Sequence, residues 1–111
     1  ISAHAAGSPE QGRSALDGVE AMNHMVNMMR EHIPQESRIH YVITKGGLAP
    51  NVVPDVAEVY YYVRHPKMTV VEELFKRVVN TASGAAIGTD TTMNYEVMHG
   101  IFSLLPNDTV Q

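Results

Sequence analysis

Arg64, Asn51 and His4 are the residues whose types and positions lend themselves to chemistry. Arg64 closes the run Val56-Ala57-Glu58-Val59-Tyr60-Tyr61-Tyr62-Val63-Arg64, in which Ala57, Val59, Tyr61 and Val63 share one parity. Glu58, Tyr60, Tyr62 and Arg64 share the other, and side chains alternate faces along a strand, so Arg64 ends the polar face. A guanidinium there can hold a carboxylate bidentately, or it can pair with a neighbouring surface acid. Asn51 lies within Gly46-Gly47-Leu48-Ala49-Pro50-Asn51-Val52-Val53-Pro54-Asp55, where a glycine pair and two prolines dictate a tight, extended loop. It stands close to Arg64 if that loop folds back. His4, set among small residues, can donate to a developing oxyanion or act as an ordinary loop residue.

Other chemistries find no support in the residue pattern. Six histidines invite a metal, yet no His-x-Asp pair and no H-E-x-x-H run occurs, and Glu20 with His24 supplies only two ligands. His24, His32, His40, His65 and His99 are read as structural or surface residues. The chain has no cysteine, hence no disulfide framework and no thiolate nucleophile or ligand. No Gly-x-Ser-x-Gly elbow, Walker loop or dinucleotide fingerprint is present, so this chain alone is expected to catalyse nothing. The net charge of −4, with eight scattered Lys and Arg, argues against a nucleic-acid surface. No apolar run approaches the ~20 residues of a membrane span, and nothing reads as a signal peptide, so a cytoplasmic location is expected. A chain starting Ile1-Ser2-Ala3-His4 without a methionine is expected to be a segment of something longer.

The elements that must position these residues follow from periodicity. The 111 residues fit one domain with its own core. Ser14-Ala15-Leu16-Asp17 offers a helix cap, and Leu16, Val19, Met22, Met25, Val26 and Met29 recur at helical spacing, with Asn23 on another face. Pro34 closes that helix. A strand over 37–45 alternates Ile39, Tyr41 and Ile43 against His40, Val42 and Thr44. After the second strand, Thr69-Val70-Val71-Glu72 resembles a capping box, and an apolar stripe runs to about Ile87 with Gly88 as the stop. Thr91 to Met98 alternates as a last strand, and 99–111, with Gly100, Pro106 and Asn107, reads as an exit segment. Met22, Met25, Met28 and Met29 are core filler or adaptable packing against a partner.

The resulting order, (β)αββαβ, predicts an α+β, ferredoxin-like domain with an antiparallel sheet, two helices on one face and a truncated first strand. That first strand is central in the topology, and four residues are too few to complete it. Either the sheet is short there, or another segment or chain fills the gap.

Taken together, Ser2-Ala3-His4-Ala5-Ala6-Gly7-Ser8-Pro9, Gly12-Arg13-Ser14-Ala15-Leu16-Asp17, Gly46-Gly47, Pro50-Asn51-Val52-Val53-Pro54-Asp55 and Arg64 resemble the lid or dimerisation domain of the zinc-dependent aminoacylase and carboxypeptidase family. The resemblance covers nearly the whole chain. It implies an amidohydrolase or metallopeptidase that cleaves an amide next to a free amino-acid carboxylate, p-aminobenzoyl-glutamate being one such substrate. It also implies two zinc or manganese ions in the catalytic domain, with no metal ligand here. By the same resemblance His4 reaches the partner subunit's site to polarise the carbonyl, and Asn51 and Arg64 bind the carboxylate. A homodimer is expected through the strand at 37–45 and the first helix, with a second hydrolase subunit as a further partner. Two other readings stand beside this one: an independent small-ligand or regulatory module, and an RNA-binding sheet using Tyr60 and Tyr62, against which the acidic charge counts.

Overall fold

The structure, a computed structural model, describes residues 12–98 and 101–107. Helix α1 spans Ala15–Met29 and is followed by a 3-10 turn, Arg30–His32. Strands β1 (Arg38–Lys45) and β2 (Glu58–Arg64) precede helix α2 (Met68–Thr89), and strands β3 (Thr92–Met98) and β4 (Ile101–Asn107) end the described chain. The four strands form one antiparallel sheet in the order β1-β2-β4-β3. Two helices against an antiparallel sheet are the ferredoxin-like arrangement expected.

Strand β4 answers the question of the gap. It pairs with β2 on one side and β3 on the other, so a segment expected only to leave the domain fills the central place. Pro106 disguised it, since proline cannot donate to a ladder and argues against an interior strand. The pairing with β2 covers only Ile101 to Leu104, whereas Pro106 stands opposite Met93. Proline is therefore confined to the stretch with one neighbouring strand.

Helix α1 begins where the cap residue dictates: the Ser14 hydroxyl oxygen accepts the Asp17 N–H at 3.1 Å. Its inner face buries Ala15, Val19, Met22 and Val26 against Ile39, Val59, Tyr61 and Val63 of the sheet and Leu74 and Val78 of α2. Helix α2 departs from expectation at both ends. Its N-cap is Lys67 rather than Thr69, because the chain turns helical directly after His65-Pro66, and the His65 ring Nδ1 accepts the Lys67 N–H at 2.9 Å. Gly88 lies inside the helix, and the stop is Asp90 in the left-handed region with φ 57°. Aspartate tolerates that conformation, and its backbone N–H closes onto Ala86 and Ile87 carbonyls.

Asn23, expected on another face than the apolar stripe, is buried and accepts a hydrogen bond from the Tyr61 hydroxyl. A phenol on the inner face of β2 needs such a partner once water is removed. Burial pushes the Tyr61 phenol well above its usual range, neighbouring Tyr41 adding to the rise and Arg30 opposing it. The Tyr41 and Tyr61 rings stack at 5.1 Å between centroids.

Candidate functional site

The loop 46–55 is held rigidly where it leaves β1. Gly47 has φ 114°, and a Cβ there would stand 2.9 Å from the Pro54 ring, so glycine is required both by conformation and by space. The Pro54 carbonyl accepts the Ala15 N–H at 2.9 Å, which ties the loop to the first turn of α1. A cleft of about 360 Å³ runs along the loop between Thr44, Lys45, Gly46, Val52 and Asp55. Asn51 is exposed on this frame.

Arg64 occupies the far end of β2, exposed on the sheet face away from the helices, as parity dictates. Across the hairpin it is in register with Arg38 of β1, while Tyr62 faces His40 and Tyr60 faces Val42. Among the described residues Arg64 forms no hydrogen bond or ion pair. Its counterpart at the near end of the same face is satisfied: Glu58 accepts the Thr44 hydroxyl at 2.7 Å. A cleft of about 310 Å³ at the Arg64 end is lined by Glu36, Arg38, Arg64, His65 and Pro66.

The structure does not bring Asn51 and Arg64 together. Arg64 is the last of the seven residues of β2, at the end away from the loop, and the strand spans roughly 20 Å at the usual rise. Helix α1 gives an independent ruler, because its first turn holds the loop while the Arg30 guanidinium after its last turn donates to the Ile39 carbonyl, beside Val63. Its 15 residues also span about 22 Å. The loop is thus anchored away from Arg64 and is not folded back over the sheet. His4 lies outside the described residues. Sequence reasoning passed over Arg38; strand register alone brings it beside Arg64, and that register is set by pairing across a loop of twelve residues that the local pattern does not number.

Among the described residues no group of three or more His, Cys, Asp or Glu is placed to hold a metal ion. Among the same residues no helix is long and apolar enough to cross a membrane.

An edge is left for association. Among the described residues strand β1 pairs only with β2, and Val42 and Ile43 are exposed on it, with Met28 exposed on neighbouring α1. Unpaired backbone groups along such an edge are a template for a further strand.

Residues 1–102 match the family described as the peptidase dimerisation domain. The chain is 47% identical, over its whole length, to one of the subunits of p-aminobenzoyl-glutamate hydrolase from Escherichia coli strain K12, covering 23% of that protein. It is 32% identical to mouse Xaa-Arg dipeptidase and 29% identical to the human counterpart, with 96% of this chain and 25% of each relative covered. The chain therefore spans about a quarter of the length of these curated relatives.

Proposed function

The chain belongs to the peptidase dimerisation domain family, and on that premise we propose that it pairs two subunits of a hydrolase and clamps the free carboxylate of an amino-acid amide substrate. The observation that carries this reading is Arg64, an exposed guanidinium at a strand end with no partner among the described residues. A planar fork left open in this way suits a carboxylate. Asn51 adds amide hydrogen-bond capacity, and His4 a donor for the oxyanion, as the resemblance implies.

Separation of Asn51 and Arg64 by the length of β2 gives the clamp a further requirement. One carboxylate cannot span roughly 20 Å, so Asn51 of one copy and Arg64 of its partner complete each site. Dimerisation through the edge of β1 and the exposed side of α1 then becomes a condition of substrate binding rather than only of stability. The hydrolytic chemistry belongs to a separate metal-binding domain, and this domain orients the substrate for it.

The test is hydrolysis of p-aminobenzoyl-glutamate by the full-length protein carrying this chain, in wild-type and Arg64→Ala forms. Lost activity with dimer mass and metal content unchanged supports the clamp. Unchanged kinetics would return Arg64 to the role of a surface residue and leave a small-ligand regulatory module as the better account.

A further inference from the structure

Arg38 and Arg64 are in direct register across the β1–β2 hairpin, and both are exposed on the sheet face away from the helices. Directly opposed strand residues have Cα atoms about 4.5–5.5 Å apart, and like charges so placed repel. An anion bound by both would relieve that repulsion. Glu36 lines the same cleft, yet among the described residues neither arginine forms an ion pair with it or with any other carboxylate.

Arg38 is also held in place. Its Nη1 donates to the Ser37 carbonyl at 2.7 Å and the Gln35 carbonyl at 3.1 Å. Those bonds occupy one nitrogen and fix the plane of the guanidinium, leaving Nε and Nη2 as donors. His65 supplies another: its Nδ1 accepts the Lys67 N–H, so the neutral ring carries its proton on Nε2. Two arginines against one glutamate leave the cleft with a net positive charge.

We propose that Arg38 is a specificity residue, taking the side-chain carboxylate of a dicarboxylic amino acid whose α-carboxylate is held by Arg64. This rests on the clamp reading of Arg64. Two arginines in register on adjacent strands offer one guanidinium to each of two carboxylates joined by a short aliphatic chain. The substrate class is thus the amide of glutamate or a similar acidic residue.

The test uses the full-length protein and two substrates with one acyl group, p-aminobenzoyl-glutamate and p-aminobenzoyl-glutamine. Arg38→Gln should lower kcat/KM for the glutamate amide by roughly ten- to hundredfold, the loss of a charge-assisted hydrogen bond. The glutamine amide should change by less than about threefold, since it lacks the second charge. Arg64→Gln should lower both. A preference for glutamate that survives Arg38→Gln, or an equal loss on both amides, overturns the proposal. If Arg64→Gln spares both substrates, the clamp reading itself fails. A measurement on the wild type avoids any effect of mutation on folding: free glutamate should inhibit at least about tenfold more tightly than free glutamine. Equal inhibition also overturns the role given to Arg38.

Discussion

The two ends of the β1–β2 hairpin are built on opposite terms. At the loop end, Gly47, Pro54 and the first turn of α1 fit together so closely that the backbone has little freedom, and Glu58 is hydrogen-bonded to Thr44. At the other end Arg38 and Arg64 stand in register across the strands, with no carboxylate paired to either among the described residues. The first end is arranged for stability and the second carries uncompensated electrostatic repulsion. The anionic ligand proposed above is assigned to the second end, and the rigid first end holds Asn51 for the partner copy's site.

Substitutions at each end separate these roles. Arg64→Ala should reduce kcat/KM of the full-length protein by about a hundredfold, as expected for losing a bidentate charged contact. Its denaturation midpoint should hold or rise slightly, because the substitution relieves the repulsion with Arg38. Gly47→Ala should do the reverse in stability, costing about 1–3 kcal/mol through the positive φ and the Pro54 contact. Urea denaturation of the full-length protein reads this, and an unchanged midpoint would show that the loop is not the tight frame described.

Midway between the ends, Tyr61→Phe should cost about 1–2 kcal/mol by leaving buried Asn23 without its donor. It should also change the alkaline profile. Below about pH 10 the phenol is protonated in folded and unfolded chains alike, so it adds no slope. Above that pH the unfolded chain releases a proton that folded Tyr61 retains, so stability falls as pH rises. The phenylalanine variant should lack this component in a pH series of denaturation curves. The smallest effect is expected at Ser14→Ala, about 1 kcal/mol for the lost helix cap. A difference within error would assign the start of α1 to its packing alone.

Much of the fold was legible because it rests on local rules. The Ser14 cap, the apolar stripe of α1 and the alternation of Tyr60, Tyr61 and Tyr62 each follow from a period or a spacing. What was not legible depends on distant partners. Pro106 concealed a strand that succeeds only because its proline lies beyond the reach of β2. Asn23 took the buried face of α1 because Tyr61, remote in sequence, needs an acceptor. Arg64 was recognisable by type and parity, but its neighbour Arg38 and its distance from Asn51 are properties of register and of the loop's anchorage to Ala15. Residue spacing along a chain carries neither.

The most direct test of the shared site is complementation between protomers. Full-length Asn51→Ala and Arg64→Ala proteins, each deficient alone, are co-expressed in equal amounts. If Asn51 of one copy and Arg64 of its partner complete each site, mixed dimers hold one intact pair, and random pairing restores roughly a quarter of wild-type activity. If both residues serve the same copy's site, every site retains a defect. Activity no higher than that of the separate variants, with mixed dimers confirmed by mass, would contradict the account.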